Sequence, residues 1–325
     1  MKSTHRKLFL CTLFLLGLSG FLHARGIGDS RINTLTIYGI RGPSGIGMIR
    51  LFEETPIVPG FNIRVEALAH ADLLAARFIS GEAKIGILPP NMAAKIASSG
   101  QNIKVAAVLG MGMLSLLTSD PLVQSIHDLR GKTVEVAGQG ATPDFVFQRI
   151  LLSRGLKSDI DLRLSYALSH PEIAQSLIAG RVSTALLPEP FATMALSGNP
   201  NLRLVTDIQD EWRHITGGDN FPMTVLAVDG DFAAQNPEAL SIIFQSLSDS
   251  IEWTLAYPIE AGALAEKHDL GFPRGAAALA IPRSNYVFIP AREARSALEN
   301  LFRVFLEFSP VSIGGALPRD DFYLH

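Results

Sequence analysis

The sequence has one cysteine, Cys11, placed inside an apolar run from Leu8 to Leu18. Lys2, His5, Arg6 and Lys7 precede that run, and Leu22-His23-Ala24 ends it with a small residue. This is the pattern of a secretory signal peptide, too short for a membrane span. Only Leu8, Phe9 and Leu10 separate Cys11 from the basic residues, which argues against a lipid-modified cysteine. Cleavage near Ala24 then removes the last thiol. The exported product is expected to have no disulfide, no thiol nucleophile and no thiolate metal ligand. Basic charge is also short. Without Lys2, Arg6 and Lys7 the 28 basic residues fall to 25 against 31 acidic ones, a net charge of -6, which argues against nucleic acid as a partner. Eight histidines are scattered with no pair at metal-ligand spacing, so no metal site is expected, and His70 and His170 read as surface residues. Aromatics make up 8% of the chain, and Tyr38, Phe145, Phe191, Trp212 and Phe221 are the candidates for stacking on a planar ligand.

What the chain does have is size and repetition. Its 325 residues, with 47% hydrophobic content and mean hydropathy of +0.25, suffice for two cores of ordinary size. Val65 to Asn91 lies over Leu164 to Pro190 at an offset of 99 residues without a gap, and Ala75, Ile79, Gly81, Leu88 and Pro89 meet identical partners. The apolar positions coincide as well, which predicts a duplicated plan.

In order, Leu35 to Tyr38 reads as a strand leading through Gly39 to Gly45 into a helix, with Ser44 as N-cap. Phe61 to Ala67 is a second strand, Ala71 to Ser80 a helix, and Ala83 to Leu88 a third strand. Pro89-Pro90-Asn91 then opens a helix, with Asn91 as its cap. Ile103 to Leu109 is a buried strand, and the chain crosses to a second lobe around Gly110 to Leu117. There Thr133 to Ala137 leads through Gly138-Gln139-Gly140-Ala141 to Thr142 and Pro143, a strong helix start. Val182 to Leu187 ends at Pro188-Glu189-Pro190, with Glu189 at the cap of Phe191 to Leu196. Pro222 to Val228 returns to the first lobe. Helices over Pro237 to Leu255, Pro258 to His268 and Ala291 to Glu307 contain no repeat of the strand motif and are expected to pack around the first sheet, before an irregular tail from Gly314 to His325.

Strands alternating with helices define an α/β fold of two mainly parallel sheets with a double crossing. The expected boundaries are a leader at 1–24, a first lobe at 25–112 and 218–325, and an inserted lobe at 113–217. Ligands of open sheets bind beyond the carboxyl ends of the strands, so the junctions at Ser44, Asn91, Thr142 and Glu189 should border one cleft. Helix N-termini there suit anions. Glu189 suits a ligand N–H donor or simply caps its helix, and Arg41 either pairs a ligand anion or is solvated. The Gly138 to Pro143 loop imitates a dinucleotide fingerprint but has proline in place of the third glycine, so no cofactor is expected. Gly42-Pro43-Ser44-Gly45 lacks the glycine spacing of a nucleophile elbow.

Asp128-Leu129-Arg130-Gly131-Lys132-Thr133, the Gly138 to Pro143 loop, Ala179-Gly180-Arg181 and Leu187 to Ala192 together resemble the substrate-binding proteins of nitrate/sulfonate/taurine-type ABC importers, including relatives that bind thiamine-pyrimidine precursors. Pro222 to Val225, Asn236-Pro237-Glu238 and the ending Leu317 to Tyr323 fit the same pattern. The resemblance runs from about Leu35 to the C-terminus. It implies a two-lobed type II periplasmic-binding fold that closes by hinge bending, a small-molecule ligand, and a membrane permease with its ATPase as partners. It also implies a periplasmic monomer that touches the membrane only through the permease. By motif position the ligand-lining residues are Gly42, Ser44, Gly45, Asn91, Gly140, Thr142, Glu189 and Phe191. An enzyme on the same scaffold, deaminase- or dehydratase-like, is the rival expectation.

Overall fold

The computed structural model describes residues 33–218 and 220–325. The leader, its cleavage point and Cys11 lie outside the described residues.

The first strands alternate with helices as the periodicity predicts. They are β1 (Asn33–Ile40), α1 (Pro43–Ile46), β2 (Phe61–Leu68), α2 (Ala71–Ile79), β3 (Ile85–Leu88), α3 (Pro90–Ser98) and β4 (Ile103–Met111). The helix expected after Ser44 is shorter than its apolar spacing suggests: α1 lasts one turn, and a 3-10 turn, Ile49–Phe52, follows it. Two residues beyond β4 the chain enters β5 (Leu114–Thr118). It continues through β6 (Thr133–Val136), α4 (Thr142–Ser153), β7 (Arg163–Ser165), α5 (His170–Ile178), β8 (Thr184–Pro188), α6 (Phe191–Gly198), β9 (Arg203–Asp207) and α7 (Ile208–Thr216). The last part comprises β10 (Pro222–Asp229), α8 (Gly230–Gln235), α9 (Pro237–Ala256), α10 (Pro258–Lys267), α11 (Arg274–Ala280), β11 (Tyr286–Pro290) and α12 (Arg295–Phe308). Two of these elements go beyond the sequence expectation. The segment before Gly217 is the helix α7, ended by Gly217 in the left-handed region, and the C-terminal third holds one more strand, β11.

The strands form a six-stranded sheet ordered β11-β4-β10-β3-β1-β2 and a five-stranded sheet ordered β7-β6-β8-β5-β9. In the first sheet β10 and β11 run against β1 to β4. In the second, β5 alone runs against the others, so both sheets are mainly parallel in direction. The order β2-β1-β3-β10-β4 matches β7-β6-β8-β5-β9 strand for strand. The 99-residue offset carries α2 (71–79) onto α5 (170–178) and β3 (85–88) onto the first four residues of β8. Repetition of the fold is therefore more regular than the five identities imply, because burial pattern rather than residue identity sets each element.

Both crossings pass beside Gly112. A Cβ there would lie 2.4 Å from Asn220 Oδ1 and 2.6 Å from the Phe221 ring, so only glycine lets the two segments approach this closely. The Asn220 and Asn285 amides both donate to the Gly112 carbonyl. Away from the crossings, α12 of the first half packs on α4 of the second. Phe145 meets Phe305 edge-on at 5.2 Å and stacks on Phe308 at 5.5 Å, pairs worth about 1 kcal/mol each beyond area burial. Arg149 and Glu307 add an ion pair at 3.6 Å across the same contact. No helix among the described residues is long and apolar enough to cross a membrane.

Candidate functional site

Each predicted junction lies at the carboxyl end of a parallel strand, but the caps differ from those the sequence suggests. Gly42, with φ of 113°, is the N-cap of α1, and the Ser44 hydroxyl instead turns back to the Ile40 carbonyl at 3.4 Å. Pro89 rather than Asn91 caps α3, Ala141 rather than Thr142 caps α4, and Pro190 rather than Glu189 caps α6. In α1, α3 and α4 a proline at the first or second helical position supplies the start, and in α6 the proline is the cap itself, leaving the polar side chains free for other partners. Asn91 Oδ1 and Thr142 Oγ1 are buried with no hydrogen-bond partner, and Thr142 is 3% exposed. A buried acceptor or hydroxyl left in that state costs about 1–3 kcal/mol. Three junctions carry such atoms, the third being at Glu189.

Glu189 is 2% exposed. Its Oε2 accepts the Thr193 N–H at 3.0 Å, so it serves the N-terminus of α6 from one residue before the cap. Its Oε1 lies 2.9 Å from Arg283 Nε as an ion pair, without the direction of a good hydrogen bond. Burial pushes the Glu189 carboxyl above the ordinary range, while Thr193 and Arg283 pull against it. Arg283 follows α11 in a 3-10 turn of the first half, and nothing in its local sequence marks it. Arg283 and Glu189 also line a cavity of about 420 Å³ with Ser115, Asp207, Gln209 and Asn285.

Phe191 is buried, and its ring meets Phe272 of the first half at 5.1 Å and stacks on His170 at 5.7 Å. His170 thus departs from the surface position expected of it. Its ring is half-buried, its Nε2 is buried without a partner, and burial pulls its pKa down to about 4. His70 is exposed. Among the other aromatic candidates, Trp212 and Phe221 pack on each other, and Tyr38 is buried under Arg77.

Gly140 introduces a group that the sequence reading missed. Its N–H donates to Asp144 Oδ2 at 2.8 Å, and Asp144 Oδ1 accepts from Gln148 and from the Tyr166 hydroxyl, both at 2.7 Å. Asp144 is 1% exposed. A carboxylate of the protein therefore takes up an N–H group of the loop that leads into α4. Gly45 has a packing role: its Cβ would lie 2.9 Å from the Ile40 carbonyl oxygen and 3.2 Å from Leu270. Arg41 pairs with the exposed Asp269 at 2.9 Å.

The segment from Leu270 to Tyr286 brackets both walls. The Leu270 carbonyl accepts the Gly42 N–H at 3.0 Å, and the Tyr286 hydroxyl donates to the Pro43 carbonyl at 2.8 Å. Burial pushes the Tyr286 phenol up, and the charge of Glu189 acts in the same direction. Gly42, Ser44 and Gly45 are thus brought to the same bracket as Glu189 and Phe191.

Two sheets of matching order, each feeding helix starts at its strand ends and joined by two crossings, define the fold of the periplasmic solute-binding proteins. The chain matches the NMT1-like family over residues 78–266, more than half its length, and belongs to that family. Among solved structures it is similar to an ABC transporter protein from Parabacteroides distasonis, at 29% identity and a TM-score of 0.78, covering 90% of this chain and 99% of that one. It shares its fold with the periplasmic aliphatic sulphonate-binding protein SsuA of Escherichia coli, at 16% identity and a TM-score of 0.69 over 85% and 87% of the two chains. The periplasmic nitrate-binding protein NrtA of Synechocystis shares it too, at 12% identity and a TM-score of 0.60 over 87% and 84%. No curated protein matches the chain by sequence.

Proposed function

We propose that this protein is the exported solute-binding component of an ABC importer, with lobes at 25–112 plus 218–325 and at 113–217. It captures a small organic ligand between those lobes and delivers it unchanged to a permease and its ATPase. The observation that carries the reading is the set of buried polar atoms without good partners at three strand-to-helix junctions, Asn91 Oδ1, Thr142 Oγ1 and Glu189 Oε1. Burying such groups is costly unless a ligand completes them. Gly42, Ser44 and Gly45 form the facing loop, Gly140 shapes the second loop, and Phe191 ties this wall to Phe272 of the first half.

The same geometry favours one ligand class. Asp144 and Glu189 already satisfy the Gly140 and Thr193 N–H groups, so in the second half one junction loop and one helix start already carry carboxylates. A sulfonate or nitrate would meet like charge there. A ligand that presents ring or amine N–H groups, such as an aminopyrimidine of the thiamine-precursor type, would meet acceptors at Glu189 and Asn91.

Native mass spectrometry of protein purified from its own host, followed by calorimetry with the released compound, tests the reading. A nitrogen-bearing organic compound recovered unchanged is expected. A chemically altered product would overturn binding without turnover, and recovery of a free oxyanion would overturn the ligand class.

A further inference from the structure

Glu189 is held by two halves of the chain at once. Its Oε2 is committed to the Thr193 N–H of its own helix at 3.0 Å, and its Oε1 faces Arg283, contributed by the first half, at 2.9 Å. Because the Oε1 contact is an ion pair without a directed hydrogen bond, that oxygen keeps acceptor capacity for one further donor. A carboxylate 2% exposed and without a cation beside it would be strongly penalised.

Arg283 is itself placed by fixed groups on both sides. The preceding Ile281 is fully buried, and the Ser284 hydroxyl binds the Ala280 carbonyl at 2.8 Å. Asn285 takes a left-handed φ of 45°, its carbonyl accepts the Met111 N–H at 3.1 Å, and its amide donates to Gly112 at the crossing. Tyr286 then reaches the first glycine loop through Pro43. The guanidinium therefore stands on a turn fixed to the crossing and to the glycine loop of its own half, and the Arg283 side chain remains 43% exposed.

We propose that Arg283 is a positioning residue: it aims the Glu189 carboxylate at the ligand and ties it to the first half of the chain, so the acceptor is complete only when the halves meet. The role of Glu189 as a ligand acceptor rests on the proposed function, whereas the link between Arg283 and Glu189 does not. Several other groups bear on the charge of Glu189. Asp207, Asp210 and Arg213 share its cavity from the corner of β9 and α7, Arg213 being paired with Asp210. Tyr286 approaches from β11, and His170 stacks on the neighbouring Phe191. Arg283 is the cation placed directly on the carboxylate.

The test uses the intact ligand-free protein, so absence of any ligand would leave it readable. Glu189 is titrated by carbon-detected NMR with side-chain-labelled glutamate, and the radius of gyration is measured by small-angle scattering, for wild type, Arg283→Gln, Arg283→Lys and Glu189→Gln. Arg283→Gln is expected to raise the Glu189 midpoint by roughly one to three pH units, as loss of an opposite charge at this distance does, and to enlarge the radius. Arg283→Lys should restore most of both, and Glu189→Gln should enlarge the radius while losing that titration. An unmoved Glu189 midpoint in Arg283→Gln, with or without a change in radius, would overturn the proposal.

Discussion

The two halves repeat one plan and differ at the same two places. At the 99-residue offset, Gly45 corresponds to Asp144 and Pro90 to Glu189. Where the first half has a glycine pressed against a carbonyl and a proline starting a helix, the second half has buried carboxylates that take up N–H groups of a loop and a helix. Duplication preserved the backbone path because apolar burial enforces it. Chemistry diverged at helix starts, where side chains are not needed by the core.

The largest effect expected from breaking this difference is on stability. Asp144→Ala leaves the Gly140 N–H, Gln148 and the Tyr166 hydroxyl without their shared acceptor and should cost about 3 kcal/mol in urea unfolding. The reverse transplant, Gly45→Asp, cannot imitate it: its Cβ meets the Ile40 oxygen and Leu270, so about 2 kcal/mol should be lost rather than gained. Glu189→Ala should weaken binding of the co-purified compound by roughly tenfold to a hundredfold in calorimetry, the worth of a hydrogen bond to a charged group. The matching change Pro90→Ala in the first half should leave affinity within about twofold, because proline at a helix start offers no polar group. Equal losses from the two would remove the asymmetry between the walls.

A further effect concerns pH. His170 titrates near 4 in the fold and near roughly 6.5 when unfolded, so the unfolded chain takes up its proton first. Its contribution is fully present above about pH 6.5 and is lost as pH falls toward 4. The raised Glu189 carboxyl acts with opposite sign, its contribution present at low pH and lost as pH rises through its folded value. His170→Gln should therefore flatten the acid side of the stability profile, and an unchanged slope would show that His170 is not buried neutral.

The framework of the candidate site was legible because it follows from strand ends. Leu-Pro pairs after apolar strands and glycine loops before prolines marked all four junctions, where the structure buries Glu189, Thr142 and the Asn91 Oδ1 atom. The cap assignments failed by one or two residues because proline tolerates several positions at a helix start, and the path of the chain selects among them. Phe272 and Arg283 carried no local signal. Their partners, Phe191 and Glu189, stand more than 80 residues away in sequence. The strand β11 was not read from the sequence, and its pairing with β4 needs a register irregularity that sequence does not announce.

By itself the sequence determined the alternation of strands and helices, the duplication and the junctions, since each depends on periodicity and on glycine or proline within a few residues. Tertiary structure alone decided which charges meet at the candidate site. Asp144 turns back onto Gly140, and Arg283 reaches Glu189, because packing brings distant segments within ion-pair range. Only burial makes those carboxylates dependent on the partners they find.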